Sequence, residues 1–520
     1  LEKQYGRDTR VIVLTEGLLT RRLLSDPELA DVGLLIFDEF HERSIHADFG
    51  LALALDVQRN LRPDLRLLVM SATLDAETVA RHLGPDTPII RAEGRMYPVD
   101  TIFAPRPERE RLAERTVVVV NRALREQSGS VLAFLPGEGE ILAATEALSL
   151  AHDKNTDILP LYAALPKAEQ EAALRPSPLG RRKVVLATSI AESSLTIDGI
   201  TAVVDSGAAR VSRFSSATGM SRLETVRITR DRADQRRGRA GRLSPGVCYR
   251  IWDESDDRRL DSAAPPEILT ADLAAVVLQT ADWGTAVAES LPWLTPPPSN
   301  TWKQAVDLLQ KLQALDDKGC ITEHGRLMTR LGTHPRLAHT LIAAAATGDT
   351  ETKSTACTLA AVLSEGVSGG GRISSNLSHA IAEIETPRGD LPPAVRHRIK
   401  ELAASWRHEL ESLPLSKKRG GAVSIGVLLA WAYPDRIGLR RKLADDEGRY
   451  LLSGGRGAKL RPHDPLASSD WIVVADIDDN DADATIRLAA PITQAEVEKH
   501  FSHLFTTRDV LEWNARTKRV

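Results

Sequence analysis

Gly33 to His46 reads GLLIFDEFHERSIH, and the fold turns on where its apolar run stops. Gly33–Phe37 has the length and composition of a strand buried on both faces, and it ends abruptly in Asp38 and Glu39. Two carboxylates therefore sit at the carboxyl end of a strand. In an open parallel α/β sheet that edge is where ligands bind, and adjacent acids there suit a Mg²⁺ held by Asp38 with a water oriented by Glu39. A solvated acidic turn after a core strand would use the same residues, so the rest of the chain must choose. The following HERSIH has the outline of the zinc signature H-E-x-x-H. Its spacing is wrong: His41 and His46 are five apart, about 140° round a helix, where four apart gives about 40°.

Outward from this stretch, VIVL (Val11–Leu14), LLIF and LRLLVM (Leu65–Met70) alternate with helical segments. Each apolar run ends in polar residues: Thr15-Glu16-Gly17, Asp38-Glu39 and Ser71-Ala72-Thr73. That is the βαβ rhythm of a parallel sheet. A second series follows the Pro- and Arg-rich connection Arg95–Arg115: VLAFLP from Val131, ILPLY from Ile158, KVVLATS from Lys183, ITAVVDSG from Ile200 and VCYRIW from Val247. Within it, Arg210–Thr229 alternates around Ala217-Thr218-Gly219 and reads as a protruding hairpin. From about Asp261 to Leu413 the pattern is helical, with Gly369-Gly370-Gly371 expected as a mobile loop. Strand-like runs return from Gly448. Asp476–Asp483, DIDDNDAD, lacks the Gly and Glu of a calcium loop and reads as a hairpin turn.

At 520 residues, the chain has room for roughly three or four domains. Its 67 basic and 71 acidic residues give a net charge of -4, which excludes wholesale polyanion binding and leaves nucleic-acid contact to local clusters. Cys248, Cys320 and Cys357 are far apart and form neither a disulfide framework nor a zinc spacing, which fits a reducing cytosol. No apolar run of membrane-spanning length and no charged-then-apolar leader is readable, and the start at Leu1 leads us to expect a fragment or a processed chain.

Gln235–Arg242, QRRGRAGR, places Arg236, Arg239 and Arg242 three apart along an expected helix, where three forked guanidinium groups could share a face and stabilise charge on a γ-phosphate. A salt-bridged surface helix is the plainer reading. Thr188 ends the run KVVLA and opens SIAESSLTIDGI, whose hydroxyls suit phosphate oxygens but could equally cap a helix start.

In one order across two α/β domains, these pieces resemble the superfamily 2 DEAH-box helicases. The long stretches FDEFHERSIHADFGLALAL, LLVMSATLD, SLTIDGITAVVDSGAARVSRF and QRRGRAGR are similar to the bacterial HrpB branch. The similarity runs over the whole chain, strongly to about Trp252 and more loosely beyond. It implies two tandem RecA-like parallel-sheet domains, the first truncated, followed by winged-helix and helical-bundle modules and a small β-rich C-terminal module. The implied divisions are 1–94, 95–255, 256–330, 331–415 and 416–520. The implied activity is ATP-driven 3'-to-5' translocation on RNA and unwinding of it.

The resemblance also implies roles. Asp38 would hold Mg²⁺, Glu39 would activate water, and His41 would couple across the cleft to Gln235, which would help hold that water. Arg239 and Arg242 would be γ-phosphate and finger arginines, and Asp198 would approach the nucleotide. Thr15 and Thr188 would touch the RNA backbone, and Ser71 and Thr73 would link nucleotide state to strand grip. His46 would pack or cap locally. Implied ligands are ATP, Mg²⁺ and single-stranded RNA or an RNA duplex with an overhang, bound by a cytoplasmic monomer; the hairpin would separate strands. Two departures stand out. Phe40 occupies the Ala position of the family motif, and no G-x-x-x-x-G-K-S/T occurs, GGRGAKL from Gly454 reading as a turn. A fragment lacking its Walker A segment is therefore expected, unable to hydrolyse ATP alone. A helicase-like RNA scaffold that has lost hydrolysis is the alternative.

Overall fold

The computed structural model describes residues 6, 8–72, 76–92, 94, 97–151, 155–178, 180–192, 195–215, 220–366, 375–386, 391, 393–415, 421–441, 448–478 and 484–505. Two compact units emerge: Leu1–Asp272 with Leu291–Pro298, and Leu273–Ser290 with Ser299–Val520.

In unit one, β1 (Leu34–Phe37) pairs in parallel with β2 (Arg66–Val69), Phe37 lying opposite Val69. The crossover between them is helix Ile45–Asn60, which starts where the Ser44 hydroxyl accepts the Ala47 N–H at 3.0 Å. This helix packs closely on β1, with Gly50 beside the Phe37 ring, where a Cβ would sit in ordinary van der Waals contact at 3.4 Å. The expectation of burial on both faces fails. Leu35 and Phe37 are buried, but Leu34 and Ile36 remain 46% and 50% exposed, the alternation of a sheet covered on one side. Val11–Leu14, expected as a strand, is not one, and Val13 is 93% exposed. A strand exists only through a neighbour's backbone, and among the described residues none pairs with this run.

The second sheet of unit one is wholly parallel. It contains β3 (Val99–Phe103), β4 (Ser130–Phe134), β5 (Thr156–Leu161), β6 (Arg182–Ala187), β7 (Ile200–Asp205) and, beyond the hairpin of β8 (Ala208–Ser215) and β9 (Met220–Arg227), β10 (Gly246–Arg250). Their order is β3-β10-β7-β4-β6-β5. Central β4 is buried at every residue because helices cover one face and the loop and helix elements after β6 cover the other. Each Val or Phe side chain so buried contributes about 1.5–3 kcal/mol. The apolar runs anticipate β4 to β7 and β10. They miss β3, which lies inside Arg95–Arg115: its VDTIF is short, half polar and at the sheet edge, so it carries no long apolar signal.

Unit two is helical as far as Ala432 and then closes a barrel from β11 (Ile437–Arg440), β12 (Arg449–Leu452), β13 (Gly457–Lys459), β14 (Trp471–Asp478) and β15 (Ala484–Pro491), in the order β11-β12-β13-β15-β14. Closure removes the free strand edges. GGRGAKL is thus part turn and part strand, because Gly457–Lys459 finds partners in β12 and β15. Gly369–Gly371 and the tip of DIDDNDAD lie outside the described residues.

Candidate active site

The chain leaves β1 through Asp38 and Glu39. The Glu39 N–H donates to Asp38 Oδ1 at 2.8 Å, and Glu39 takes left-handed backbone at φ 49°. For a residue with a Cβ that conformation costs about 1 kcal/mol, and such strain collects at functional sites. Phe40 follows, fully buried and edge-on to Phe37 with ring centroids 6.3 Å apart. Its N–H donates to Met70 O at 3.0 Å, so exposed Ser71, just after β2, lies next to the acidic turn. Thr73 lies outside the described residues.

The His41 side chain is only 5% exposed, and its Nε2 lies 2.5 Å from Gln235 Nε2. An amide nitrogen donates and cannot accept, so His41 Nε2 is the acceptor and the imidazole proton is assigned to Nδ1. Nδ1 faces Glu39 Oε2 at 3.4 Å, beyond good hydrogen-bond geometry, and makes no other bond. Glu39, His41 and Gln235 thus form one line of contacts from the first sheet to the helix Arg230–Gly238 beside the second. His46 neither packs nor caps: it is exposed, and Ser44 makes the cap.

The three arginines do not share a face. The helix stops at Gly238, and Arg239–Gly241 winds into a tighter 3-10 turn that redirects the chain towards Arg242. Arg236 points into the core, 0% exposed, with Nη1 2.6 Å from Asp205, Nε 2.7 Å from Glu192 and its guanidinium 4.8 Å over the Phe134 ring. Arg239 is buried and donates to the Glu192 carbonyl at 2.9 Å and the Leu195 carbonyl at 2.5 Å. Burial pushes its pKa down to about 10, helped by repulsion from Arg242 and opposed by the carboxylates of Glu39 and Glu192. Glu39 at the end of the first sheet is thus near enough to Arg239 to favour its charged form. Arg242 is exposed and donates to Thr196 Oγ1 at 2.8 Å. Asp198, also exposed, comes two residues after Thr196 on the same crossover from β6 to β7.

Thr15 and Thr188 occupy equivalent places, each at the N-cap of the helical turn that follows it, and neither side chain makes a capping bond. That removes the ordinary explanation for a hydroxyl at a helix start. Glu16, next to Thr15, accepts a hydrogen bond from Ser44 Oγ, which ties TEG to HERS.

Sequence reasoning missed the buried network of Glu192 and Asp205 with Arg232 and Arg236, in which Arg232 reaches Glu192 at 2.6 Å. The available signal was Asp205 closing the apolar run ITAVVD. For Mg²⁺, one or two carboxylates suffice when phosphates and water complete the octahedron. Exposed Asp38 is placed to supply one, and among the described residues no cluster of three or more ligating side chains occurs. A carboxylate pair, one member of which lies near the Arg239 guanidinium, can hold a metal-bound polyphosphate, orient water and neutralise charge on a departing phosphate.

Residues 114–244 match the helicase conserved C-terminal domain. The chain is similar to the ATP-dependent RNA helicase HrpB of Escherichia coli (strain K12), 39% identical over 511 residues that make up 98% of this chain and 60% of that protein. It is also similar to the pre-mRNA-splicing factor ATP-dependent RNA helicase prp22 of Schizosaccharomyces pombe, 39% identical over 67% of this chain and 30% of that protein. The crystal structure of the E. coli DExH-box NTPase HrpB superposes with a TM-score of 0.78 at 39% identity, covering 99% of this chain and 61% of the other. The chain thus spans about three fifths of the length of the HrpB proteins it matches.

Proposed function

Because the chain belongs with the DEAH-box helicases, in their HrpB branch, we propose that unit one is the working part of an ATP-driven RNA motor that translocates on RNA and unwinds it. The observation that carries this reading is the line Glu39–His41–Gln235, with Arg239 and Arg242 on its far side. A scaffold has no chemical need for a water-activating acid opposite guanidinium groups. In this reading Asp38 holds the Mg²⁺ that enters with ATP, Glu39 takes up the proton of the attacking water, and Gln235 holds that water. Arg242, exposed and donating to Thr196 Oγ1, is the finger that meets the γ-phosphate. Arg239 shapes the site through the carbonyls it grips and adds its charge from behind. Asp198 approaches the nucleotide from the second domain.

Thr15 and Thr188 offer their uncommitted hydroxyls to phosphate and ribose of single-stranded RNA, a grip that reads backbone and not bases. Ser71 and Thr73 couple the two events, and the hairpin of β8 and β9 parts the strands. Residues 1–94 and 95–255 are the two RecA-like domains, 256–330 a winged helix, 331–415 the helical bundle and 416–520 the HrpB-type region. The protein works in the cytoplasm as a monomer. Among the described residues no helix is long and apolar enough to cross a membrane. The phosphate-cradling motif is not among these 520 residues, which supply the acid, the coupling histidine and the arginines of the site.

The test is Glu39→Gln in the complete protein. ATP affinity should persist while RNA-stimulated turnover falls by about 10²–10⁴-fold, the contribution of a positioned general base. Near-normal turnover would refute the assignment.

A further inference from the structure

Unit two contains a cavity of about 600 Å³ that the motor reading does not use. The end of helix Ser299–Lys311, helices Glu323–Arg330 and Pro335–Ala346, and the segment Gln494–Leu504 wall it. Its ionisable lining is of one kind. Lys311, Lys499 and His503 stand exposed at the rim, His324, His339 and His500 lie further in, and no carboxylate among the described residues joins them. The nearby Glu496 is spent on capping, accepting the Thr493 N–H at 2.8 Å and the Thr493 hydroxyl at 2.7 Å.

The two inner imidazoles are fixed. His324 Nε2 lies 2.7 Å from His339 Nδ1, with the rings edge to face at 4.9 Å. Burial holds His339 down to about 3, so it stays neutral and contributes hydrogen-bonding edges in place of charge. The remaining wall is apolar and aromatic: Ile342, Trp431 and Phe501. Trp431 and His500 stand edge to face with centroids 6.1 Å apart.

A cationic mouth over neutral hydrogen-bonding groups and an indole matches an anion joined to a flat heterocycle. The volume agrees, since it falls in the range of small-molecule sites, about 300–1,000 Å³, and far exceeds what a bare phosphate fills. We propose that this cavity binds a nucleotide, Lys311 and Lys499 meeting the phosphate and the base lying against Trp431 beside the histidine pair. It is a second nucleotide site, built in the other compact unit from the one that carries Glu39.

Calorimetric titration of the complete protein with AMP, adenosine and inorganic phosphate separates the parts. AMP should bind. Adenosine and phosphate should each bind at least about tenfold more weakly, because each loses one half of the recognition. Lys311→Ala with Lys499→Ala, both exposed and so harmless to the fold, should weaken AMP at least about tenfold, whereas Arg242→Ala in unit one should leave this binding unchanged. A 5'-phosphorylated RNA trinucleotide that binds more tightly than AMP would assign the site to an RNA end; equal or weaker binding assigns it to the free nucleotide. Absence of AMP binding, unchanged affinity in the lysine variant, or phosphate binding as tight as AMP would overturn the proposal.

Discussion

Arg236→Ala tests whether the arginine row divides into a structural member and a catalytic one. The Arg236 side chain is fully buried, as is Asp205, and Glu192 is 6% exposed. Burial opposes its charge, but Asp205 and Glu192 outweigh that and raise its pKa above the ordinary value. Truncation removes the ion-pair partner that Asp205 has among the described residues, leaves Glu192 paired with Arg232 and takes the guanidinium from the Phe134 face. Breaking a buried pair by removing one partner costs about 3–5 kcal/mol, a large share of the 5–15 kcal/mol that holds a typical domain. At a urea dependence of about 1–3 kcal/mol/M, the midpoint for this domain should fall by roughly 1–3 M or more. Hydrogen exchange at the β4, β6 and β7 amides reads this sheet separately from the rest of the chain, and protection there should drop by the same free energy. A loss below about 1 kcal/mol would show that Arg236 is not paired as described, and the assignment of the row would fail with it.

Arg242→Ala should leave the fold intact, since the side chain is exposed, and lower turnover by about 10³-fold or more in an ATPase assay; a loss under tenfold would remove it from the site. Thr15→Ala and Thr188→Ala should each weaken single-stranded RNA binding, and wild-type affinities for matched lengths of different base order, measured at one salt concentration, should agree within about a hundredfold. His339 titrates at 6.5 when exposed and at about 3 in the fold, so the unfolded chain takes up a proton in that window that the fold refuses. The stability of unit two should therefore fall as pH drops from 6.5 towards 3 and level off below. His324 and His500, also depressed by burial, act in the same sense. His339→Asn should flatten the slope between about pH 5 and 6.5, above the carboxylate range, and an unchanged slope would exclude His339 as its source.

What could be read from the sequence is what strand ends determine locally. Asp38 and Glu39 were legible because an apolar run stops at them, and Thr188 because KVVLA does the same, and in both cases the next few residues settle the geometry. The arginines were misplaced because spacing fixes a face only while the helix continues, and this helix tightens at Arg239. Gly241 belongs to that change: a Cβ there would meet Tyr97 O at 2.6 Å, so the glycine serves close approach to the chain entering β3, not an open surface for a ligand. The destination of Arg236 was not legible at all, since its partners lie 31 and 44 residues upstream and meet it only once the sheet has assembled. Those partners bind the hidden network to the visible site. Glu192 offers its carboxylate to Arg236 and its backbone carbonyl to Arg239, so one residue holds a core arginine and the arginine proposed for the site. A change that shifts the Glu192 backbone therefore reaches both arginines, whereas one that removes only its carboxylate reaches Arg232 and Arg236 and leaves the carbonyls that hold Arg239 in place.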